Sequence, residues 1–111
     1  VPMGRNCNRM EKEFFYVYIM ASKRYGTLYI GLTSNLSKRV YEHKNGLIEG
    51  FTKKYKVHQL VWYERHGTAE SGIKRERNMK EWKRQWKIEL IEQSNPNWYD
   101  LSEGVLRRAN V

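Results

Sequence analysis

A chain of 111 residues can build one domain around one modest core and is too short for two. Lys and Arg number 21 against 12 Asp and Glu, a formal net charge of +9, which suits a polyanionic partner because clustered cations gain affinity by releasing counterions from phosphates. Cys7, the single cysteine, excludes an intramolecular disulfide and predicts a reducing, cytoplasmic setting; no Cys/His cluster has zinc-ligand spacing, and no apolar run is long enough to span a membrane.

Residues 1–13 lack an apolar signal core and read as a mobile, polar lead-in, with Met10 nearer the functional start than Val1. Residues 14–20 form an aromatic and β-branched run of strand length. The turn chemistry of residues 21–26 and a second run at 27–32 then predict a hairpin. Thr33, Ser34 and Asn35 offer caps for a helix to about Lys44, stopped by Asn45 and Gly46. On that helix Leu36 and Val40 face the core. Arg39 and His43, also one turn apart, can converge on one point, although His43 reads equally well as a hydrogen-bonded surface histidine.

Residues 47–55 read as a loop anchored by Phe51 and charged by Lys53 and Lys54. Residues 58–64 alternate and predict a third strand; Thr68 is an N-cap for a long helix beginning at Ala69 and bending near Lys83. Ala69, Ile73, Met79, Trp82 and Trp86 spread over about half of that helix, and Glu76 falls inside the same half. A carboxylate there is costly unless paired. A metal ion resolves the conflict, and so does a salt bridge to Lys80 or Lys83. Lys74, Arg75, Arg77, Lys80, Lys83, Arg84 and Lys87 crowd the same region as Trp82 and Trp86, giving either a surface that tracks a nucleic-acid backbone or a solvated helix face over core tryptophans. Trp98 and Leu101 pin an irregular segment, and residues 102–111 read as a tail. The domain therefore spans 14–101, an α+β fold with a small central antiparallel three-stranded sheet flanked by helices.

Tyr16-Val17-Tyr18 and Tyr29-Ile30-Gly31, followed by Arg39, His43 and Ile73-Lys74-Arg75-Glu76, resemble the GIY-YIG nuclease superfamily, in its small single-domain branch. The second triplet is unaltered. In the first, Tyr16 stands where the family has glycine, which the hairpin tolerates if Tyr16 faces outward. The resemblance implies a catalytic arginine at Arg39, a metal-binding glutamate at Glu76, a histidine of the family pattern at His43, and catalytic tyrosines at Tyr18 and Tyr29. Tyr29 would then be the base and Tyr18 would orient the water.

Such residues suit phosphodiester hydrolysis. One carboxylate with water and phosphate oxygens can hold Mg²⁺ or Mn²⁺, and a guanidinium forks onto the non-bridging oxygens. A phenol of pKa about 10 needs help to act as a base. The expectation is a metal-dependent endonuclease acting on nucleic acid, DNA before RNA, with no membrane partner. Its alternatives are a binding module of the same fold without turnover and a structural interaction domain.

Overall fold

The computed structural model describes residues 14–48 and 50–109; the expected lead-in at 1–13 lies outside them. Three strands, β1 (Phe15–Ala21), β2 (Leu28–Thr33) and β3 (Gln59–His66), pair antiparallel in the order β2-β1-β3. Helices α1 (Leu36–Lys44), α2 (Phe51–Lys54), α3 (Ala69–Glu81), α4 (Arg84–Ser94) and α5 (Ser102–Ala109) surround them. This is the α+β architecture expected, with the three-stranded sheet at its centre.

The central strand β1 is covered on both faces, and its period-2 alternation sorts the core into two clusters. Val17, Ile19 and Ala21 meet Ile30, Val61, Met79, Ile88 and Ile91 on the face carrying α3 and α4. Tyr18 and Met20 meet Leu36, Val40, Leu60 and Val105 on the face carrying α1 and α5. Tyr16 is half-buried against the second cluster, edge-on to Tyr63 with centroids 6.5 Å apart, rather than facing outward. A pleated strand leaves it no choice, because Tyr16 shares the face of Tyr18.

Local chemistry sets the helix ends. Asn35 caps α1 by accepting from the Lys38 amide, and Gly46, at φ 65°, follows its C-cap. Thr68 caps α3 by accepting from the Ser71 amide. The expected bend near Lys83 is a full break. Trp82 and Lys83 take extended ψ values of 152° and 149°, so α3 and α4 are separate helices.

Two further expectations are corrected. The loop at 47–55 contains the short helix α2, closed by the Lys54 amide donating to the Gly50 carbonyl at 3.0 Å, with Gly50 at φ 91°. The side chain of Phe51 is outside the described residues. The tail at 102–111 is helical through Ala109, with Ser102 and Val105 buried. Asp100 ties its start to the sheet by accepting from the amides of Leu60 and Ser102. Among the described side chains of α5, Val105 and Leu106 join the core, too few for a periodic signal.

The buried stripe of α3 also differs. Ile73 is 38% exposed and Ala69 is exposed, whereas Gly72 and Met79 are buried. A Cβ added to Gly72 would clash with the Leu32 side chain, so the missing side chain lets α3 close on β2. Hydrophobicity alone cannot reveal a contact made by having no side chain.

Candidate active site on the sheet face beneath helix α1

Tyr18 and Gly31 are direct partners across β1 and β2. The Tyr18 ring lies over Gly31 so closely that a Cβ there would fall under 3.0 Å from its hydroxyl oxygen. This fixes the phenol against α1, where its hydroxyl is hydrogen-bonded to His43 Nε2 at 3.2 Å. Tyr29, two residues before Gly31, points to the same face. Tyr18, Tyr29 and His43 form a cluster of three rings, with centroids 6.3 Å apart for the tyrosine pair, 5.7 Å for Tyr18–His43 and 5.5 Å for Tyr29–His43.

The three rings differ in access. Tyr18 is 1% exposed and His43 is 2% exposed. Tyr29 is half-buried, and its strand borders an open groove of about 250 Å³ lined also by Leu28, Ile30, Lys80 and Lys87. Tyr29 therefore stands at the front of the cluster, with Tyr18 and His43 behind it. His43 is not on the helix surface, because Val40 and His43 both fall on the inward side of α1.

Burial, and after it Tyr29, pushes the Tyr18 hydroxyl well above the ordinary phenol range; Arg39 pulls it down, while Glu76 and Glu42 push it further up. Tyr18 is consequently a neutral phenol and a poor base. Burial first, then Arg39 and His58, push His43 down to about 4, so its ring is neutral at pH 7. His43 Nδ1 is buried and meets no hydrogen-bond partner among the described residues. The backbone carbonyl of His43 contacts His58 Nδ1 at 2.8 Å, tying α1 to the start of β3.

Both charged residues singled out in the sequence lie within electrostatic reach of the Tyr18 hydroxyl, and both have partners in the chain. Arg39 Nε is 3.6 Å from Glu42. Glu76 sits on the inner flank of α3 and ion-pairs with Lys80 at 3.0 Å, the salt-bridge alternative weighed from the sequence. Among the described residues no group of three His, Cys, Asp or Glu side chains is placed to hold a metal ion.

The basic residues divide. Arg75 grips Glu64 through Nε at 3.0 Å and packs by cation–π contact on Trp82, so it fastens α3 to β3. Arg84 donates to the carbonyls of Tyr25 and Gly26, both at 2.7 Å, and holds the hairpin turn to α4. Lys53, Lys54, Lys74, Lys80 and Lys83 are exposed. Lys87, the last residue of the same basic stretch, lines an open groove beside β2 together with Lys80. Gly31 was noted as part of a triplet, but its role beneath Tyr18 needs the strand register.

Residues 14–89 match the family described as the GIY-YIG catalytic domain. Among curated proteins, the chain is 38% identical over 76 residues to a UPF0213 protein of Staphylococcus saprophyticus, covering 68% of this chain and 92% of that one. It is 32% identical over 84 residues to a UPF0213 protein of Staphylococcus epidermidis, covering 76% and 99%. A UPF0213 protein of Staphylococcus haemolyticus is 33% identical over 78 residues, covering 70% and 94%. No solved structure matches. Because the match takes in both tyrosine strands and the helices bearing Arg39 and Glu76, this chain belongs to the GIY-YIG family.

Proposed function

We propose that the protein hydrolyses phosphodiester bonds in nucleic acid, DNA before RNA, with Mg²⁺ or Mn²⁺ held by Glu76. The observation that carries this reading is convergence. Side chains from β2, α1 and α3 all act electrostatically on one point, the Tyr18 hydroxyl of β1. A guanidinium, a carboxylate and two phenols so assembled meet the needs of phosphoryl chemistry.

A hard cation is commonly held through one carboxylate, with water and phosphate oxygens filling its shell, and Glu76 fits that donor set. When bound, the ion supplies charge neutralisation at the phosphate. Arg39 leaves Glu42 to fork onto the non-bridging oxygens. Tyr29, once its own proton has passed to solvent, takes the proton of the attacking water, and the departing oxygen takes a proton from solvent. Tyr18 stays protonated behind it and, braced by neutral His43, holds the Tyr29 ring in place. Lys80 and Lys87 flank the groove and bind neighbouring phosphates.

A cleavage assay with and without Mg²⁺ on nicked, branched, single-stranded and duplex substrates tests this. Cleavage should require Mg²⁺ and fall at least about 100-fold in Glu76→Gln, which keeps shape and removes charge. Full activity of the Gln variant would remove Glu76 from the mechanism.

A second reading, binding without turnover, draws on the ion pairs Glu76–Lys80 and Arg39–Glu42, which occupy both charges the chemistry needs. It predicts salt-sensitive binding with no cleavage of any substrate.

A further inference from the structure

Trp86 is a large aromatic side chain on the outside of the molecule, 49% exposed. Helix α4 turns Ile88 and Ile91 inward, which leaves Trp86 on an outer stripe with Glu89, Leu90 and Gln93. Trp82, in the break before α4, meets Trp86 edge-on at 6.2 Å and 76°. The two rings, with Glu89, Leu90 and Gln93, line an open cleft of about 300 Å³. Lys83 Nζ lies 5.7 Å from the Trp86 ring centroid.

We propose that this cleft is a stacking subsite for an unpaired base of the bound nucleic acid. The inference rests on the nucleic-acid reading of the Tyr29 groove and deepens it by naming the substrate feature recognised. Charge complementarity selects the occupant. Lys80 lies in the last turn of α3, which ends at Glu81, Lys83 caps α4 and Lys87 lies in its second turn, so three cations against one carboxylate follow the corner from the groove beside β2 to Trp86. A phosphate backbone tracking those lysines brings a base to the Trp86 ring, and every base has a π-face that stacks on an aromatic. Glu89 repels a phosphate, so the backbone lies toward Lys83. The base edge then lies toward Glu89 and Gln93, which can accept from exocyclic amino groups. Trp86 is well suited to this because its exposure costs the fold hydrophobic burial, and ligand stacking recovers it.

Fluorescence-anisotropy titrations in metal-free buffer, which prevents cleavage, test the subsite with a single-stranded oligonucleotide and a blunt duplex of equal length. Trp86→Ala should weaken single-strand binding about tenfold, leave duplex binding within about twofold, and keep the salt dependence unchanged. Trp86→Phe should retain most of the affinity. Unchanged single-strand binding in Trp86→Ala overturns the proposal, as does equal weakening on both substrates. Self-association of the wild type that Trp86→Ala abolishes, with single-strand affinity intact, identifies the face as a contact between copies and also overturns it. A wild type that binds no form of DNA or RNA instead removes the nucleic-acid reading on which the subsite rests.

Discussion

The Tyr18 phenol lies directly across Gly31, its partner on the neighbouring strand, and any side chain at Gly31 would occupy the space of the ring. The glycine of the second triplet is therefore steric in purpose, not conformational. Tyr18 is fully buried and cannot swing away without leaving His43. Gly31→Ala should cost about 1–3 kcal/mol through overpacking and disturb the whole ring cluster. Chemical denaturation gives the first quantity, and a cleavage assay should show activity lost beyond the fraction unfolded.

The two tyrosines should separate by the property each controls. Tyr18→Phe strips buried His43 of its partner at Nε2, having none at Nδ1, so stability should fall by about 1–3 kcal/mol. Tyr29→Phe should cost about 1 kcal/mol or less and reduce turnover at least about 100-fold, the scale of a lost general base. Denaturant midpoints paired with initial rates check both. Equal rates for Tyr29→Phe and wild type would move the base elsewhere.

His43 makes stability depend on pH. Its folded pKa of about 4 lies below the ordinary histidine value of 6.5, so between those values the unfolded chain binds more protons. Stability should therefore be full above pH 6.5 and decline as pH falls toward 4, by on the order of 1 kcal/mol per pH unit. Denaturation between pH 4 and 8 measures the slope. His43→Gln should flatten it across that window, separating His43 from carboxylates that titrate lower.

Asp100 joins three parts of the chain: it accepts from the Leu60 amide at 3.1 Å, from Ser102 through amide and hydroxyl, and ion-pairs with Lys44. Burial alone would raise its pKa, but Lys44, Ser102 and the Leu60 amide together hold it below the usual carboxylate range. Asp100→Ala should destabilise by about 1–3 kcal/mol and release α5. Hydrogen exchange should then show lost protection in residues 102–109 in excess of the global change.

The sequence by itself determined the strands, the cap at Thr68, a change of direction near Lys83 and the positions of the family residues. Each of these depends on neighbours in the chain: alternation, a side chain reaching an amide three residues on, a motif. The tertiary structure alone decided that Tyr29 stays half-exposed while Tyr18 is buried behind it. Both are tyrosines in strands, and only register and the covering helix distinguish them. The same holds for the division of the basic residues. Arg75 and Arg84 look like Lys74 and Lys83 in the sequence, yet Glu64 and the turn carbonyls of Tyr25 and Gly26 claim the first two. Those partners lie 11 to 59 positions away along the chain. Contacts over such separations follow from how whole elements pack, and no local pattern of charge or hydrophobicity encodes them.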